Sequence, residues 1–401
     1  MKTVEQRLME YAAIDTGSSE TSGLHPSTEK QWDLARVLEK ELKDMGASNV
    51  RLSEHCYVYA EIPANVDGQP AIGLIAHMDT APAVPTGPVK PSLITYEGGD
   101  IVLASGAVLS PADYQSLNSH VGHQLVVTDG TTLLGGDNKA GVAEIFTAAE
   151  YLLCHPEVKH GKICIAITPD EEIGGGTDFF DIEGFGADFA YTVDGGPAGE
   201  YECENFNGAS ADVKVNGVNI HPGSAKDKMK NACRIAMEFA GLLPDSQTPE
   251  HTEGREGFYH LCEMQGDETT ATLKYIIRDH DSAKYEQKKE FMRACTTLIN
   301  ARYGENTVEL DIVDKYRNMV EVINQYPDIT ERAFAAIRAA GDEPKMIPIR
   351  GGTDGARLSW EGLPCPNLPT GVYNMHSVLE YASVQEMQRS VKMIIALVTA
   401  R

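Results

Sequence analysis

The run Ile163-Cys164-Ile165-Ala166-Ile167-Thr168, stopped by Pro169 and followed at once by Asp170-Glu171-Glu172, constrains this chain more than any other stretch. A short apolar, β-branched run ended by proline predicts a buried strand. Open α/β sheets carry out their chemistry at the carboxyl ends of their strands, so three acids in that place are either a solvated turn or part of a site. Taken alone, the solvated turn is the simpler reading. The remaining motifs decide between the two.

At 401 residues the chain exceeds one ordinary hydrophobic core, so two domains are expected. No apolar run reaches the roughly 18 residues of a membrane helix. The opening Met1-Lys2-Thr3-Val4-Glu5 lacks the apolar core of a secretory signal. A net charge of −25 argues against nucleic acid and anionic membranes as partners, and it suits carboxylates clustered around metal. The eight cysteines are scattered without any C-x-x-C pair, which fits a reducing, cytoplasmic location and gives no zinc knuckle.

Along the chain, Val4, Leu8, Tyr11 and Ala12 mark a first helix. Thr28-x-x-Gln31 has the form of a capping box before a helix with Leu34, Leu38, Leu42 and Met45 on one side. Residues 71–76 predict a buried strand that delivers His77-Met78-Asp79. Residues 81–128 are rich in Pro and Gly and read as hairpins and loops near the site. Leu133-Leu134-Gly135-Gly136-Asp137-Asn138-Lys139 leads into an amphipathic helix through Val142, Ile145, Phe146, Ala149, Leu152 and Leu153. Phe189 to Val193 predicts another strand, ending in Asp194-Gly195-Gly196.

From about residue 207 the order changes. Strands at 210–215, 258–265, 270–279 and 307–313 alternate with helices at 228–242 and 283–302, the latter with Phe291, Met292, Cys295, Leu298 and Ile299 on one side. This β-α-β-β-α-β order predicts a ferredoxin-like inserted domain. The α/β pattern then resumes, with a helix from Asp328 carrying Glu331 at the capping-box position and Gly341 after its last turn. A final helix carries a Ser383-x-x-Glu386 box. The expected organisation is an α/β domain from 1–206 and 319–401, interrupted by a smaller domain at 207–318.

The polar positions at strand ends and loop starts are His77, Asp79, Asp137, Glu171, Glu172, Asp194 and His376. Singly, each is explained as a structural histidine or a helix cap. Together, if they converge, their carboxylates repel, and burying them unpaired costs roughly several kcal/mol each. Either most hold protons, or multivalent cations neutralise them. Mixed histidine and carboxylate donors suit two divalent ions, zinc first, with cobalt and manganese as alternatives.

These motifs resemble a known family. Ala76-His77-Met78-Asp79-Thr80, Gly135-Gly136-Asp137-Asn138-Lys139, Thr168-Pro169-Asp170-Glu171-Glu172-Ile173-Gly174 and Thr192-Val193-Asp194-Gly195-Gly196 are similar to those of the co-catalytic zinc peptidases. That superfamily includes aminoacylase and succinyl-diaminopimelate desuccinylase. Asn219-Ile220-His221-Pro222-Gly223, Thr252-Glu253-Gly254-Arg255-Glu256-Gly257-Phe258-Tyr259-His260 and Arg350-Gly351-Gly352-Thr353-Asp354-Gly355-Ala356 resemble the peptidase T (tripeptide aminopeptidase) branch. The resemblance spans essentially the whole chain, in order.

It implies a zinc-exopeptidase-like catalytic domain with a ferredoxin-like lid. One metal would be held by His77, Asp137 and Asp194, and the other by Asp137, Glu172 and His376, with Asp137 bridging. Asp79 would orient the His77 imidazole. Glu171 would be the general base for a water bridging ions about 3.5–4 Å apart. An extended backbone at Glu171-Glu172 would turn the two side chains apart. His221 would help stabilise the oxyanion. Arg278 on the lid is placed to clamp a terminal carboxylate, with a salt bridge to Asp279 or Asp281 as the plainer alternative. Asn207 and Arg350 are further substrate-binding candidates.

The implied activity is removal of the N-terminal residue of short peptides, tripeptides foremost. A dipeptidase or N-acyl amino acid amidase on the same site is the alternative. Asn138, and the segment Met375-His376-Ser377-Val378-Leu379-Glu380, depart from the branch's usual residues and bear on how strictly tripeptides are selected. The lid also implies a homodimer.

Overall fold

The computed structural model describes residues 1–82, 84 and 87–400. The chain divides into two compact units. One comprises Met1–Cys203, Glu321–Ile347 and Thr353–Arg401, and the other Glu204–Val320 and Pro348–Gly352.

The first unit is built on an eight-stranded sheet. Its order is Ser48–Leu52, Val58–Ile62, Ile163–Thr168, Ile72–His77, Phe189–Gly195, Asn367–Pro369, Glu200–Asn205 and Lys345–Ile349. Ile72–His77 lies parallel to both Ile163–Thr168 and Phe189–Gly195, and every residue of the first two strands is buried. In register, His77 stands opposite Thr168 and Ile75 opposite Thr192. His77, the Asp170–Glu172 turn and Asp194 therefore leave the sheet at one edge. This is the carboxyl end, where an α/β sheet exposes its loops.

The helix Gly136–Cys154 packs on Ile72–His77 and Phe189–Gly195, between the helices Val4–Ala12 and Val384–Val398. It comes so close that a Cβ at Gly141 would stand 1.9 Å from the Val193 carbonyl oxygen. The other side of the sheet is covered by Phe185, Leu358 and Leu363, which pack with Tyr57, Tyr59, Ile75 and Cys164.

Residues 81–128 contain the strands Ser92–Thr95 and Gln124–Val127 and a two-stranded ribbon at 101–109, with residues 83, 85 and 86 outside the described residues. Gln124–Val127 pairs with Tyr381–Ser383, which pairs in turn with Val372–Tyr373. This hairpin carries His376 in its loop.

The second unit is a β-α-β-β-α-β domain. Its antiparallel sheet has the order Phe258–Gly266, Thr270–Asp279, Asn207–Asn216, Val308–Tyr316. Ala209, Ala211, Val213 and Val215 alternate inward toward the helices Ala232–Ala240 and Ser282–Tyr303. The first of these helices starts at Ala232 rather than 228, because Asn231 caps it by accepting the Arg234 N–H at 3.1 Å. On the second, Met292, Cys295 and Ile299 face the core, whereas Phe291 and Leu298 are exposed. The five residues expected on one side of this helix thus divide between two.

None of the three expected capping boxes forms. The second helix starts at Gln31 with Lys30 as a side-chain-free cap, because Gln31 is bound to Asp170 instead. The helix expected from Asp328 starts at Pro327, whose fixed φ suits a first turn. Ser383 bonds His123, and Glu386 bonds His120, Tyr373 and the Ala198 N–H. The box that does form is Thr3 with Gln6, at 3.0 and 3.4 Å.

Candidate metal centre

The strands Ile72–His77, Ile163–Thr168 and Phe189–Gly195, the start of the helix Gly136–Cys154 and the His376 hairpin bring seven side chains together. His77 Nε2 is 3.0 Å from Asp137 Oδ1 and 3.5 Å from Asp194 Oδ1. His376 Nε2 is 3.2 Å from Asp137 Oδ2 and 3.0 Å from Glu172 Oε2. Asp137 thus turns one oxygen to each histidine. His77, Asp137 and Asp194 form one set of donor atoms, and Asp137, Glu172 and His376 another, each within 4.8 Å.

Backbone shape sets up both sides of this centre. Asp170 lies in the left-handed region at φ +55, and Glu171–Ile173 is a single 3₁₀ turn rather than extended chain. The proline-ended strand cannot run on, and the turn folds back under the strand edge. The neighbouring acids still diverge: Glu171 Oε2 is 3.8 Å from His77 Nε2, while Glu172 faces His376. His376 is also left-handed, at φ +58, a conformation that costs roughly 1–2 kcal/mol for a residue with a side chain.

Three acids hold this arrangement from behind. Asp79 accepts the backbone N–H groups of Glu171 at 3.0 Å and Glu172 at 3.3 Å, and its Oδ1 is 3.3 Å from His77 Nδ1. The Asp79 carboxylate therefore anchors the acidic turn, while His77 Nδ1 is held by the Asp79 backbone carbonyl at 3.1 Å with that carboxylate beside it. Asp170 is bound by the Ser27 N–H and hydroxyl and by the Gln31 amide, well inside the unit. Glu380 accepts the N–H groups of Leu134, Gly135 and Asp137 at 2.8–2.9 Å. Sequence reasoning assigned Glu380 no role. Its only signal was its place four residues after His376.

Electrostatics tests whether cations fit. Burial works against a proton on His77, but Asp194, Asp137 and Asp79 outweigh it and hold its pKa well above the usual range. Hydrogen bonds to Asp137 and Glu172 push His376 up to about 11. Burial raises Asp194 to about 6, and burial with the charge of Asp137 raises Glu172 to about 7. Burial likewise lifts Glu171 well above the carboxylate range. Negative charge in excess is being answered with protons, the condition that divalent cations relieve. Among the described residues Glu172 Oε1 is buried without a hydrogen-bond partner, a free lone pair on a candidate ligand residue. The donor set and this orphan oxygen fit two cations.

The other four candidates lie in the second unit. His221 is exposed, its Nδ1 accepting the Gly223 N–H at 3.1 Å, beside a cavity of about 660 Å³ lined also by Asn219, Met229 and Glu268. Arg278 donates to the Ala209 and Ile277 carbonyls and stacks over Tyr316 at 5.0 Å. Among the described residues it forms no salt bridge with Asp279 or Asp281, so the plainer alternative is not what the fold uses. The Asn207 amide donates to the Asp279 and His280 carbonyls and accepts the Asn318 N–H. Arg350 ties the Thr252–Glu256 loop through the Thr252, Gly254 and Glu256 carbonyls and lies over Phe206 and Phe258.

Comparison with known proteins agrees with this architecture. A family described as the peptidase dimerisation domain matches residues 203–307. Peptidase T of Caldanaerobacter subterraneus subsp. tengcongensis is 50% identical over 402 residues, covering 99% of this chain and 98% of that protein. Peptidase T of Exiguobacterium sp. is 52% identical over 394 residues, covering 97% and 96%. Among solved structures, aminopeptidase PepT from Bacillus cereus superposes with a TM-score of 0.78 at 22% identity, covering 98% of this chain and 97% of that one. A tripeptidase from Staphylococcus aureus also gives 0.78, at 20% identity with 98% and 96% covered. With half its residues identical to those of peptidase T over nearly the full length of both chains, and with two candidate metal-binding groups sharing Asp137 at the sheet edge, the chain belongs to the peptidase T family of metallopeptidases.

Proposed function

We propose that this chain is a metal-dependent exopeptidase that hydrolyses the N-terminal peptide bond of short peptides, tripeptides foremost. The observation that carries this reading is Asp137 shared between two histidine-carboxylate sets, with the carboxylate of Glu171 beside them. His77, Asp137 and Asp194 would hold one divalent cation, and Asp137, Glu172 and His376 the other. Zinc is the first choice for this donor set, ahead of cobalt and manganese. Bound there, the cations would supply Lewis acidity toward the scissile carbonyl and make water more acidic.

The chain's own residues do the rest. Glu171 takes the proton of the attacking water as the new C–O bond forms, then delivers it to the amine nitrogen as the C–N bond breaks. Asp79 keeps Glu171 in reach by bonding its backbone N–H, and fixes the His77 ring through Nδ1. In the second unit, His221 is the candidate partner for the oxyanion. Arg278, a half-buried guanidinium that forms no salt bridge among the described residues, is the candidate clamp for the substrate's terminal carboxylate. Asn207 and Arg350 enter as supports of that unit's backbone, since the chain itself takes up their polar atoms. The match to a dimerisation domain supports a homodimer through this unit. Among the described residues no helix is long and apolar enough to cross a membrane, and cysteines held as thiols rather than disulfides fit a cytoplasmic enzyme.

One panel tests the reading: hydrolysis of a free tripeptide against its dipeptide, acetylated and amidated counterparts, with and without added zinc. The free tripeptide should be cleaved fastest, and only with metal. Equal cleavage of the acetylated peptide would favour an amidase. In Arg278→Ala, KM should rise for the free tripeptide but not for the amidated one.

A further inference from the structure

An enzyme that cuts next to a free amino terminus needs an acceptor for an ammonium group, and the ligand sets leave none to spare. We infer that Glu202, on the sheet strand two places from Asp194, is the carboxylate that receives the substrate's α-ammonium. This inference rests on the exopeptidase reading above and adds to it the residue that selects an unblocked amino terminus.

The placement follows from strand register. Asn367 pairs with Thr192 on one side and Glu202 on the other. The Thr192 hydroxyl bonds the Asn367 side-chain oxygen, and Asn367 Nδ2 donates to Glu202 Oε2 at 3.4 Å. These three side chains form a row across one face of the sheet. Alternation along a strand puts Asp194, two residues beyond Thr192, on that same face. Glu202 therefore lies on the same face as Asp194, a candidate ligand of the first set, with the Thr353 hydroxyl also donating to Asn367 between them.

The neighbouring carboxylates already have tasks. Asp137, Asp194 and Glu172 belong to the ligand sets, and Glu171 is the base. Asp79 and Glu380 are taken up by backbone N–H groups. Asp354 accepts the Thr168 hydroxyl at 2.8 Å, and Asp170 is bound by Ser27 and Gln31. Glu200 has the charge of Lys345 nearby. Glu202 has the one long bond from Asn367 and, among the described residues, no salt bridge. Burial, together with the charges of Asp194, Glu200 and Asp137, pushes its carboxyl up to about 8. It also keeps partial access to solvent. An incoming ammonium would supply the missing charge and a charge-assisted hydrogen bond.

The test compares kcat/KM for a free tripeptide and for its N-acetyl counterpart on zinc-loaded enzyme. Glu202→Gln should lower the free-to-acetylated ratio by about 10- to 100-fold, the worth of one hydrogen bond to a charged group. Metal content measured alongside should stay at two ions per chain. Should E202Q not fold, Glu202→Asp decides the matter: it keeps the charge and the Asn367 acceptor on a shorter arm, and should lower the ratio severalfold. An undiminished ratio in either variant overturns the inference, as does E202Q losing metal in proportion to activity. If the unsubstituted enzyme itself shows no preference for the free amino terminus, it is the exopeptidase reading that has failed. If it does show the preference and the variants keep it, only the role of Glu202 falls.

Discussion

Glu380 Oε1 accepts the backbone N–H of Asp137 at 2.8 Å, so the residue common to both donor sets is held by a buried carboxylate that belongs to neither. The other Glu380 oxygen takes the Leu134 and Gly135 N–H groups, fixing the approach to Asp137 as well. Glu380→Ala strands three buried donors and frees that loop. Cation affinity should fall about 10- to 100-fold, as for other partners that orient a metal ligand. Competition with a chromophoric chelator measures this, and unchanged affinity would remove the supporting role.

Because Asp137 offers one oxygen to each set, its loss and that of His376 should differ in kind. Asp137→Ala should abolish binding of both cations, whereas His376→Ala should leave one. Elemental analysis after dialysis reads the stoichiometry directly. One ion remaining in Asp137→Ala would rule out a shared ligand.

Glu171 is close to the His77 imidazole but stands outside both ligand sets. Glu171→Gln should retain two ions per chain and lose about 10²- to 10⁴-fold in turnover, the span of a general base. Near-normal turnover with full metal would end its assignment as base.

Glu386 gives a pH dependence away from the metal centre. Burial alone would raise its carboxyl, but His120, the Ala198 N–H and the Tyr373 hydroxyl outweigh burial and push it down from 4.5 to about 2. A carboxyl depressed by folding stabilises the folded state above its unfolded pKa and loses that contribution as pH falls through its folded pKa. The window is therefore about pH 4.5 to about 2, and the full contribution is roughly 3 kcal/mol. Glu386→Gln should be less stable than the parent by about that amount at pH 7, with the gap narrowing below pH 4.5. Denaturant titrations of both proteins at pH 7 and pH 3 check it. A gap that does not change with pH would assign the loss to packing instead.

Residue pattern alone determined the strands Ile72–His77, Ile163–Thr168 and Phe189–Gly195 and most of the helices, but not Val58–Ile62 or Asn367–Pro369, which are short or mixed in polarity and are buried only by their neighbours in the sheet. The strand Ile163–Thr168 has the bounds its apolar run predicts, because six buried residues between a polar stretch and a proline allow little else. The convergence of His77, Asp137, Glu172, Asp194 and His376 was legible for a related reason. Each stands where a strand ends or a loop starts, and such ends gather at one edge of a parallel sheet.

What the tertiary structure decided was how polar side chains with several options are used. Gln31, Ser383 and Glu386 all stand at capping-box positions, and each is drawn instead to a distant partner: Asp170, His123 and His120. A cap is worth about 1 kcal/mol, whereas a buried carboxylate or imidazole left without a partner costs more, so the distant contact prevails. Glu380 was nearly silent in the sequence, and Glu202 wholly so, for the same reason. Their neighbours, the Asp137 N–H in one case and the row from Thr192 through Asn367 in the other, lie far away along the chain and meet them only once the sheet has formed.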